Sequence, residues 1–405
     1  MRTTTVFVMK QIGFLLLALL LAGCDSASRS PGVAGPWDLS LTQRPPAVTH
    51  GTNTGLVEDL YYEGEPRNGK PTRVFAYLGR PATNTDQKMP AMLLVHGGGG
   101  KAFREWAEHW ARRGYVALAM DLSGNGPAGP LPDGMPDQSD QSKFHDFGET
   151  EVRDMWSYHA VAAVLRGHAL LRSLPEVDAD HIGVTGISWG GYLTCIIAGI
   201  DPDLKVAVPV YGCGFLGDNS YWTDKSLAAM KPEARQLWLK NFDPSQYLDG
   251  VRCPTLFLNG TTDFAYPLDS YQKSYRLVPE KYRHVDTIIG LPHGHIWTFE
   301  EVDAFVDSAL RGGKPLPQVG AVKLTATTAT VPVSTVIPLK SATLNYTTDS
   351  GVWQKRTWKT VPARIEGDSV TADLPPERPL TAFLAVTDER GLRISSEHFV
   401  LGVGH

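Results

Sequence analysis

The sequence predicts an α/β protein, a doubly wound and mostly parallel sheet covered by helices, followed by a small C-terminal β-sandwich. The first observation is a series of strand-like segments, such as "PAMLLV" and "YVALAM", that are apolar throughout. Strands of this kind belong to a parallel sheet with both faces covered. The second is the helical spacing of apolar residues between them. The third is a change beyond residue 318 to Thr- and Val-rich, alternating, turn-bounded segments.

The composition is that of a globular protein with more than one domain. The chain has 405 residues, of which 42% are hydrophobic and 20% charged, enough for a sizeable core. The formal net charge of −5 lacks the basic excess that binding to a phosphate backbone requires. Nucleic acid is therefore not expected as a partner.

The first 24 residues, "MRTTTVFVMKQIGFLLLALLLAGC", predict an export signal rather than part of the fold. Arg2 and Lys10 form a positive leader, and the apolar run over residues 12–22 is too short for a stable membrane anchor. The end of this segment resembles the lipobox of bacterial lipoproteins, which implies lipidation of Cys24; an ordinary secretory signal cleaved elsewhere is the alternative. Residues 25–36 are predicted to be a flexible tether. The protein is expected in the bacterial cell envelope, held by this lipid to the inner or the outer membrane.

Residues 37–315 are predicted to form the α/β domain. Short strands and turns occupy residues 37–81, and strands then alternate with helices. The strands, in chain order, are "PAMLLVH", "YVALAMD", "HIGVTGIS", "KVAVPVYG" and "PTLFLNG". The helices are "AFREWAEHWARRG", a run over residues 149–174, a segment that begins near Trp189, and "TFEEVDAFVDSALRGG".

Two longer segments interrupt this alternation at the carboxyl edge of the predicted sheet. They are the loop over residues 124–148 and the insert over residues 214–250, and long segments at that edge commonly shape a pocket. The insert carries Tyr221, Trp222 and Trp238, which either line the site or hold the insert together. Packing is the favoured interpretation, because most aromatic side chains are core residues.

The C-terminal segment, residues 318–405, is predicted to be a small antiparallel β-sandwich domain. Its Trp353 and Trp358 either stack on sugar rings or belong to the core, and the core is favoured because so small a sandwich needs large apolar side chains inside. Elsewhere, Cys195, Cys213 and Cys253 are expected to be free thiols. Cys213 ends one predicted strand and Cys253 begins another, so parallel strands would hold their sulfur atoms at opposite ends of the sheet.

The stretch "GVTGISWGGYLT" places Ser188 between two glycines, after a strand-like run and before a helix-like run. The pattern G-x-S-x-G is typical of a nucleophilic serine on a sharp strand-to-helix turn. A glycine-rich turn with an ordinary hydroxyl is the competing interpretation. The predicted strand before Ser188 and the helix after it supply the context that favours the nucleophile.

A serine nucleophile needs a base to accept its proton, and the base needs a partner that fixes its tautomer. The sequence supplies Asp263 just past one buried strand and His293 just past the next, in the order serine, acid, histidine. Taken singly, Asp263 could cap a turn and His293 could be an ordinary loop residue. His295, in the same "HGH" segment, is the alternative base.

An oxyanion hole is expected to complete this arrangement. One donor is the backbone N–H of Trp189, which follows the serine, and the other comes from the loop "HGGGG" after an early strand. Gly98 is the preferred second donor, with Gly97 and Gly99 as alternatives. His96 is expected to shape the loop by hydrogen bonding.

Five motifs together resemble a known superfamily: "VHGGGG", "RRGYVALAMDLSGNG", "LPEVDADHIGVTGISWGGYLT", "CPTLFLNGTTDFAYP" and "LPHGHIW". They are similar to the α/β-hydrolases, in the acetyl xylan esterase, prolyl-oligopeptidase-like and dienelactone-hydrolase-like branch, over about residues 70–315. The resemblance implies a triad of Ser188, Asp263 and His293, an acyl-enzyme, and no metal or cofactor. It also favours His293 over His295, because the family histidine precedes a glycine and a bulky residue.

The expected function is hydrolysis of a carboxylic ester, with an acetylated sugar or polysaccharide as the substrate outside the cytoplasm. A peptidase of the prolyl-oligopeptidase type is the first alternative, although the roughly 45 residues before the core leave no room for a β-propeller. An acid in the pocket would favour it, and the acids of "FHDFGETEVRD" reach the site only if their loop folds over it. The second alternative is a non-catalytic, polymer-binding surface protein. One departure is the tryptophan after Ser188, where the better-known acetyl xylan esterases have glutamine.

Overall fold

The computed structural model of the protein describes residues 35–82, 87–297 and 299–402, together with Met1. Apart from Met1, the predicted signal peptide over residues 1–24, with Cys24, lies outside this part of the chain, as does nearly all of the tether over residues 25–36. Among the described residues, no helix combines the length and the hydropathy that crossing a membrane requires.

A central sheet runs through the N-terminal three quarters of the protein. Its strands in this part of the chain are β1 Val48–Thr54, β2 Val57–Glu63, β3 Arg73–Gly79, β4 Met89–Val95, β5 Val116–Met120, β8 Val177–Ile187, β9 Val206–Val210, β10 Thr255–Gly260 and β11 Arg283–Ile288. Strands β6 Asn125–Gly126 and β7 Gly129–Pro130 form a small hairpin outside this sheet. The spatial order is β1-β2-β3-β5-β4-β8-β9-β10-β11. The first three strands are antiparallel, and β5, β4, β8, β9, β10 and β11 are parallel to one another.

Helices cover both faces of this sheet, as the apolar strands predict. The helices are α1 Arg104–Arg112, α2 Asp140–Lys143, α3 Trp156–Ser173, α4 Trp189–Ile200, α5 Pro232–Phe242, α6 Leu268–Leu277 and α7 Glu300–Arg311. All twelve residues of α4 are buried, and β5, β9 and β10 are buried along their whole length. Burial of apolar area on this scale is the main source of stability for the sheet. The predicted α/β fold class is confirmed.

The helical run predicted over residues 149–174 divides into two pieces. A 3₁₀ turn over Glu149–Asp154 precedes α3, and Met155 between them is extended, with φ of −69° and ψ of 145°. At the other end of the domain, α7 stops where Gly312 takes up a left-handed conformation, with φ of +67°. Glycine ends helices in this way because it has no Cβ to clash.

Two antiparallel sheets make up the C-terminal region. Their strands are β12 Gln318–Val319, β13 Lys323–Leu324, β14 Thr328–Ser334, β15 Leu339–Thr347, β16 Lys359–Pro362, β17 Arg364–Glu366, β18 Ser369–Asp373, β19 Leu380–Asp388, β20 Arg393–Ser395 and β21 Phe399–Leu401. Trp353 is buried beneath the guanidinium of Arg356, and Trp358 is half-buried beside Phe383. The predicted sandwich is thus present, with both tryptophans packed within it.

One sheet of this region continues the central sheet, which the sequence does not predict. Strand β20 pairs with β11 through Val285 and Ser395, and the order β20-β19-β15-β16 extends the central sheet to fourteen strands, including β21. The fully buried carboxylate of Asp286 on β11 forms an ion pair with Arg393 on β20, at 2.7 Å. The three described cysteines, Cys195, Cys213 and Cys253, are free, as expected.

Candidate active site

Ser188 lies on the sharp turn between β8 and α4. Its backbone has φ of 61° and ψ of −117°, a conformation that non-glycine residues rarely adopt. Its N–H donates to the carbonyl of Val210 on the neighbouring strand, at 2.9 Å, which holds the turn in place. The hydroxyl is therefore presented at the carboxyl edge of the sheet on a rigid, strained support.

The glycines around Ser188 are required by close packing of the turn. A Cβ on Gly190 would overlap the carbonyl oxygen of Val95, and one on Gly186 would overlap the carbonyl of Gly190. The pattern "GISWGG" thus reflects the approach of α4 to strand β4 as well as the tight turn.

The structure brings the three residues of the predicted triad together in one hydrogen-bonded chain. The Oγ of Ser188 lies 2.8 Å from Nε2 of His293, and Nδ1 of His293 lies 2.6 Å from Oδ2 of Asp263. The second carboxylate oxygen of Asp263 accepts the backbone N–H groups of Ala265 and Tyr266, both at 2.8 Å. Those bonds orient the carboxylate toward the imidazole.

Tyr211 holds the other side of the His293 ring. It follows strand β9 directly, in a left-handed conformation with φ of 64°. Its ring stacks on the imidazole with centroids 4.4 Å apart, and its hydroxyl donates to the carbonyl of Pro292 at 2.9 Å. Tyr211 therefore fixes both the ring of His293 and the backbone that carries it.

Two histidines shape the glycine loop after β4. His96 accepts the N–H of Leu122 through Nε2, at 2.8 Å, and donates from Nδ1 to the carbonyl of Gly97, at 2.8 Å. Burial lowers the pKa of His96 to about 4, so the ring is neutral at neutral pH. His295 accepts the N–H of Gly97 through Nε2, at 2.9 Å. His295 thus contacts the loop, whereas His293 contacts the serine.

Backbone amides near Ser188 are free to bind an anion. Within the described part of the chain, the N–H groups of Trp189, at the start of α4, of Gly98 and of the alternative donor Gly99 have no hydrogen-bond partner. The N–H of Gly97, an alternative donor, is taken up by His295. A Cβ on Gly98 would lie 2.9 Å from the indole of Trp189, so only glycine fits there without displacement.

A pocket of about 500 Å³ opens above Ser188 and His293. Both interrupting segments contribute to it, as expected of long segments at that edge of the sheet. Tyr221 and Trp222, from the insert, line the pocket together with Phe264. Trp238 instead is fully buried and donates its indole N–H to the carbonyl of Lys143. The insert's aromatic residues therefore divide between lining and packing.

The polar part of the pocket comes from the loop over residues 124–148. Gln138, Asp140 and Lys143 line it, and the ammonium of Lys143 lies 4.4 Å from the centre of a Trp189 ring. Asp140 lies 3.3 Å from that ammonium. The acid in the pocket is thus already paired with a cation.

Three of the four acids of "FHDFGETEVRD" have partners away from the pocket. Asp146 pairs with Lys231, Glu151 accepts the N–H of Gly148, and Asp154 accepts the N–H of Asn68. Neither they nor Glu149 lines the pocket.

Sequence reasoning missed Tyr211, Lys143 and Gln138. Tyr211 carried a usable signal, because it directly follows a buried strand and so lies at the same sheet edge as Ser188. Lys143 and Gln138 carried none, since they lie in a polar loop whose path depends on contacts with the distant insert.

Comparison with known families gives one match over just over half of the chain. The acetyl xylan esterase (AXE1) family matches residues 46–256, which include Ser188 and the glycine loop. Asp263 and His293 lie beyond the matched residues, so their pairing with Ser188 is a finding of the geometry.

Individual relatives share limited parts of their length with this chain. The acetyl esterase Axe7A of Xylanibacter ruminicola is 27% identical over 146 residues, which are 33% of this chain and 31% of that protein. The uncharacterized peptidase YuxL of Bacillus subtilis is 25% identical over 236 residues, 54% of this chain and 32% of that protein. The chain thus spans about a third of the length of these two relatives.

A solved structure supports the fold. The acetyl xylan esterase from Paenibacillus sp. R4 superposes with a TM-score of 0.53 at 20% identity, over 67% of this chain and 92% of that one. At that identity the likeness shows a shared α/β-hydrolase fold.

Proposed function

The chain belongs to the acetyl xylan esterase family, and from that premise we propose that it is a serine esterase that removes a small acyl group, acetyl above all, from a carbohydrate. The observation that carries the proposal is the hydrogen-bonded chain from Ser188 through His293 to Asp263. Such a chain makes a serine hydroxyl nucleophilic at neutral pH.

In the proposed mechanism, Nε2 of His293 accepts the proton as Oγ of Ser188 attacks the ester carbonyl carbon. Asp263 holds the imidazole in the tautomer that exposes Nε2 and stabilises the imidazolium that forms. The carbonyl oxygen becomes an oxyanion and accepts the free N–H groups of Trp189 and Gly98. The imidazolium then protonates the departing alcohol oxygen, which leaves an acyl-enzyme on Ser188.

Water completes the cycle by the same groups. His293 removes a proton from the attacking water, the oxyanion forms again at the two amides, and the carboxylic acid leaves as Ser188 recovers its proton. Preorganised amides supply a large share of such rate enhancements, because they need not reorient during the reaction.

The charge in the pocket favours an ester over a peptide. A peptidase that grips the free amino terminus of its substrate requires an unpaired acid near the nucleophile. Asp140 is the acid that lines this pocket, and it already faces the ammonium of Lys143. An ester of a neutral alcohol needs no such counter-charge.

We also propose that the enzyme is exported and held to a membrane of the cell envelope by a lipid on Cys24. Support comes from the sequence, where a positive leader and an apolar run precede "LAGC". Incorporation of labelled palmitate into the wild-type protein, and its loss in Cys24→Ala, is the expected result. Equal labelling of both would contradict lipidation at Cys24.

The function is tested by hydrolysis of 4-nitrophenyl acetate, butyrate and octanoate, acetylated xylan and an aminoacyl-4-nitroanilide. We expect turnover of the acetate and of acetylated xylan, with a loss of roughly 10³-fold or more in Ser188→Ala. Turnover of the anilide alone would assign the protein to the peptidases. No turnover of any substrate, or full activity of Ser188→Ala, would refute the proposal.

A further inference from the structure

We propose that Lys143 and Gln138 form a hydrogen-bond donor site inside the pocket that binds the oxygen atoms of the substrate's sugar portion. The inference rests on the proposed esterase function and deepens it. It assigns the part of the pocket that selects the alcohol, as distinct from the groups that act on the ester bond.

Lys143 is placed unusually for a lysine. Its side chain is 4% exposed, although lysine is almost never buried without a full set of partners. The ammonium lies 4.4 Å from the centre of a Trp189 ring and 5.7 Å from one of Trp156. Burial lowers the pKa of Lys143, because it disfavours the charged ammonium, and the charge of Asp140 opposes that shift. An ammonium has three N–H donors, and here Asp140 is the acid that faces it.

Asp140 holds Lys143 in position without pairing all the N–H donors of its ammonium. One carboxylate oxygen lies 3.3 Å from Nζ of Lys143, which is long for a charge-assisted hydrogen bond, and the other accepts the hydroxyl of Ser226 at 3.1 Å. Asp140 thereby ties the loop over residues 124–148 to the insert. Donors on Lys143 remain for a substrate oxygen.

Gln138 adds a second donor from the same loop. The residue is 8% exposed, and its Oε1 accepts the hydroxyl of Ser123 at 3.5 Å. Its Nε2 is buried and has no hydrogen-bond partner in the described part of the chain. Buried polar groups are nearly always hydrogen-bonded, so an unpaired amide in a ligand pocket points to a ligand that pairs with it.

The remaining pocket lining suits a sugar ring. Tyr221, Trp222 and Phe264 provide aromatic faces in the same cavity. Aromatic rings pack against the C–H faces of a sugar, while donors such as an ammonium and an amide bind its hydroxyl or carboxylate oxygens. 4-Nitrophenyl acetate can use the aromatic lining, but beyond its ester group it offers the donors only the weakly accepting oxygens of a nitro group and no hydroxyl or carboxylate.

The test compares two kinds of acetate ester with one enzyme series. The substrates are 4-nitrophenyl acetate, a mono-O-acetylated methyl xyloside and a mono-O-acetylated methyl glycoside of a uronic acid with its carboxylate free. The enzymes are the purified full chain, Lys143→Met, Lys143→Arg and Gln138→Leu. Lys359→Met is the matched control, because Lys359 also lies over an aromatic ring, Tyr346, but in the C-terminal region.

We expect kcat/KM on the sugar acetates to fall by roughly 10- to 100-fold in Lys143→Met and Gln138→Leu, as for loss of a hydrogen bond to a charged or buried group. On 4-nitrophenyl acetate we expect a smaller fall, so that the ratio of kcat/KM for the sugar acetates to kcat/KM for the aryl ester decreases in both variants. Lys143→Arg should recover part of the sugar activity. A fall in kcat/KM on the xyloside would show that the donors bind sugar hydroxyls. A fall confined to the uronate would show that they bind its carboxylate, and either result supports the site.

Two results would overturn the inference. One is an equal fall on all three substrates together with a lower melting temperature, which would mean that Lys143 only supports the fold. The other is unchanged sugar turnover in both variants. Wild-type turnover of 4-nitrophenyl acetate separates these results from failure of the proposed function, in which no ester is hydrolysed at all.

Discussion

Replacement of His295 by phenylalanine is expected to lower kcat by roughly 10- to 100-fold and to leave KM nearly unchanged. His295 accepts the N–H of Gly97 at 2.9 Å and thereby positions the next amide, that of Gly98, for the oxyanion. Phenylalanine preserves the packing of this ring against Phe103 and Trp106, whose centroids lie 5.0 and 6.2 Å away. The substitution therefore removes the acceptor while it keeps most of the volume.

The magnitude follows from the groups involved. A buried N–H without an acceptor costs about 1–3 kcal/mol. If the loop moves to recover a partner, one oxyanion donor is shifted but not removed. Because complete loss of such a donor costs roughly 10²- to 10³-fold in kcat, we expect the shift to cost roughly 10- to 100-fold. Because the oxyanion forms only after attack on the ester, the loss belongs to kcat rather than to KM.

The assay is initial-rate kinetics on 4-nitrophenyl acetate, with His295→Gln as the rescue variant and His181→Phe as a surface control. Nε2 of His295 accepts the N–H of Gly97 and therefore carries no proton, and the amide oxygen of glutamine can accept in the same way. Burial lowers the pKa of His295, which favours this neutral form of the ring. We expect His295→Gln to retain more activity than His295→Phe. Wild-type kcat in His295→Phe, or an equal loss in the glutamine variant, would refute the positioning role.

Three further predictions concern the same framework. Tyr211→Phe should lower kcat by about two- to tenfold at constant KM, because it removes the bond to Pro292 and keeps the ring on His293; unchanged kinetics would contradict this role. Gly190→Ala should destabilise the fold by about 3 kcal/mol or more in urea unfolding, because its Cβ would overlap a backbone carbonyl, whereas Gly402→Ala, in open space, should be neutral. The free energy of unfolding should fall as the pH drops from about 6.5 toward 4, by up to about 1.4 kcal/mol per pH unit for each neutral buried histidine, because these rings gain protons only on unfolding. The histidines concerned are His96, His159 and His398, with pKa values of about 4, 4 and 3. A free energy of unfolding that stays constant over this pH range would contradict the prediction.

The sequence allowed Ser188, Asp263 and His293 to be predicted because each follows a buried strand, and strands are visible as local apolar runs. The carboxyl ends of parallel strands meet at one edge, so three local patterns sufficed to place three side chains together. The choice between His293 and His295 needed the family resemblance, because both lie within one three-residue segment. Only the structure shows that one histidine contacts the serine and the other the glycine loop.

The residues that could not be predicted depend on contacts between distant segments. Lys143 is buried because its loop meets an insert more than 80 residues later, where Ser226 bonds to Asp140. The pairing of β11 with β20 joins residues 110 apart, Val285 and Ser395, and nothing in either local pattern specifies that partner. Long-range pairing of this kind is set by the packing of the whole protein rather than by propensity.

The junction between β11 and β20 bears on how this protein can be recombined. A domain attached by a linker can be cut away or exchanged, whereas removal of the C-terminal strands here would leave β11 as a bare edge, open to pairing with another molecule. The same cut would leave the carboxylate of Asp286, on β11, without its counter-ion, because Arg393 belongs to the removed part. The C-terminal strands are therefore an integral edge of the central sheet. Any chimaera that transfers this α/β domain to another protein has to include them.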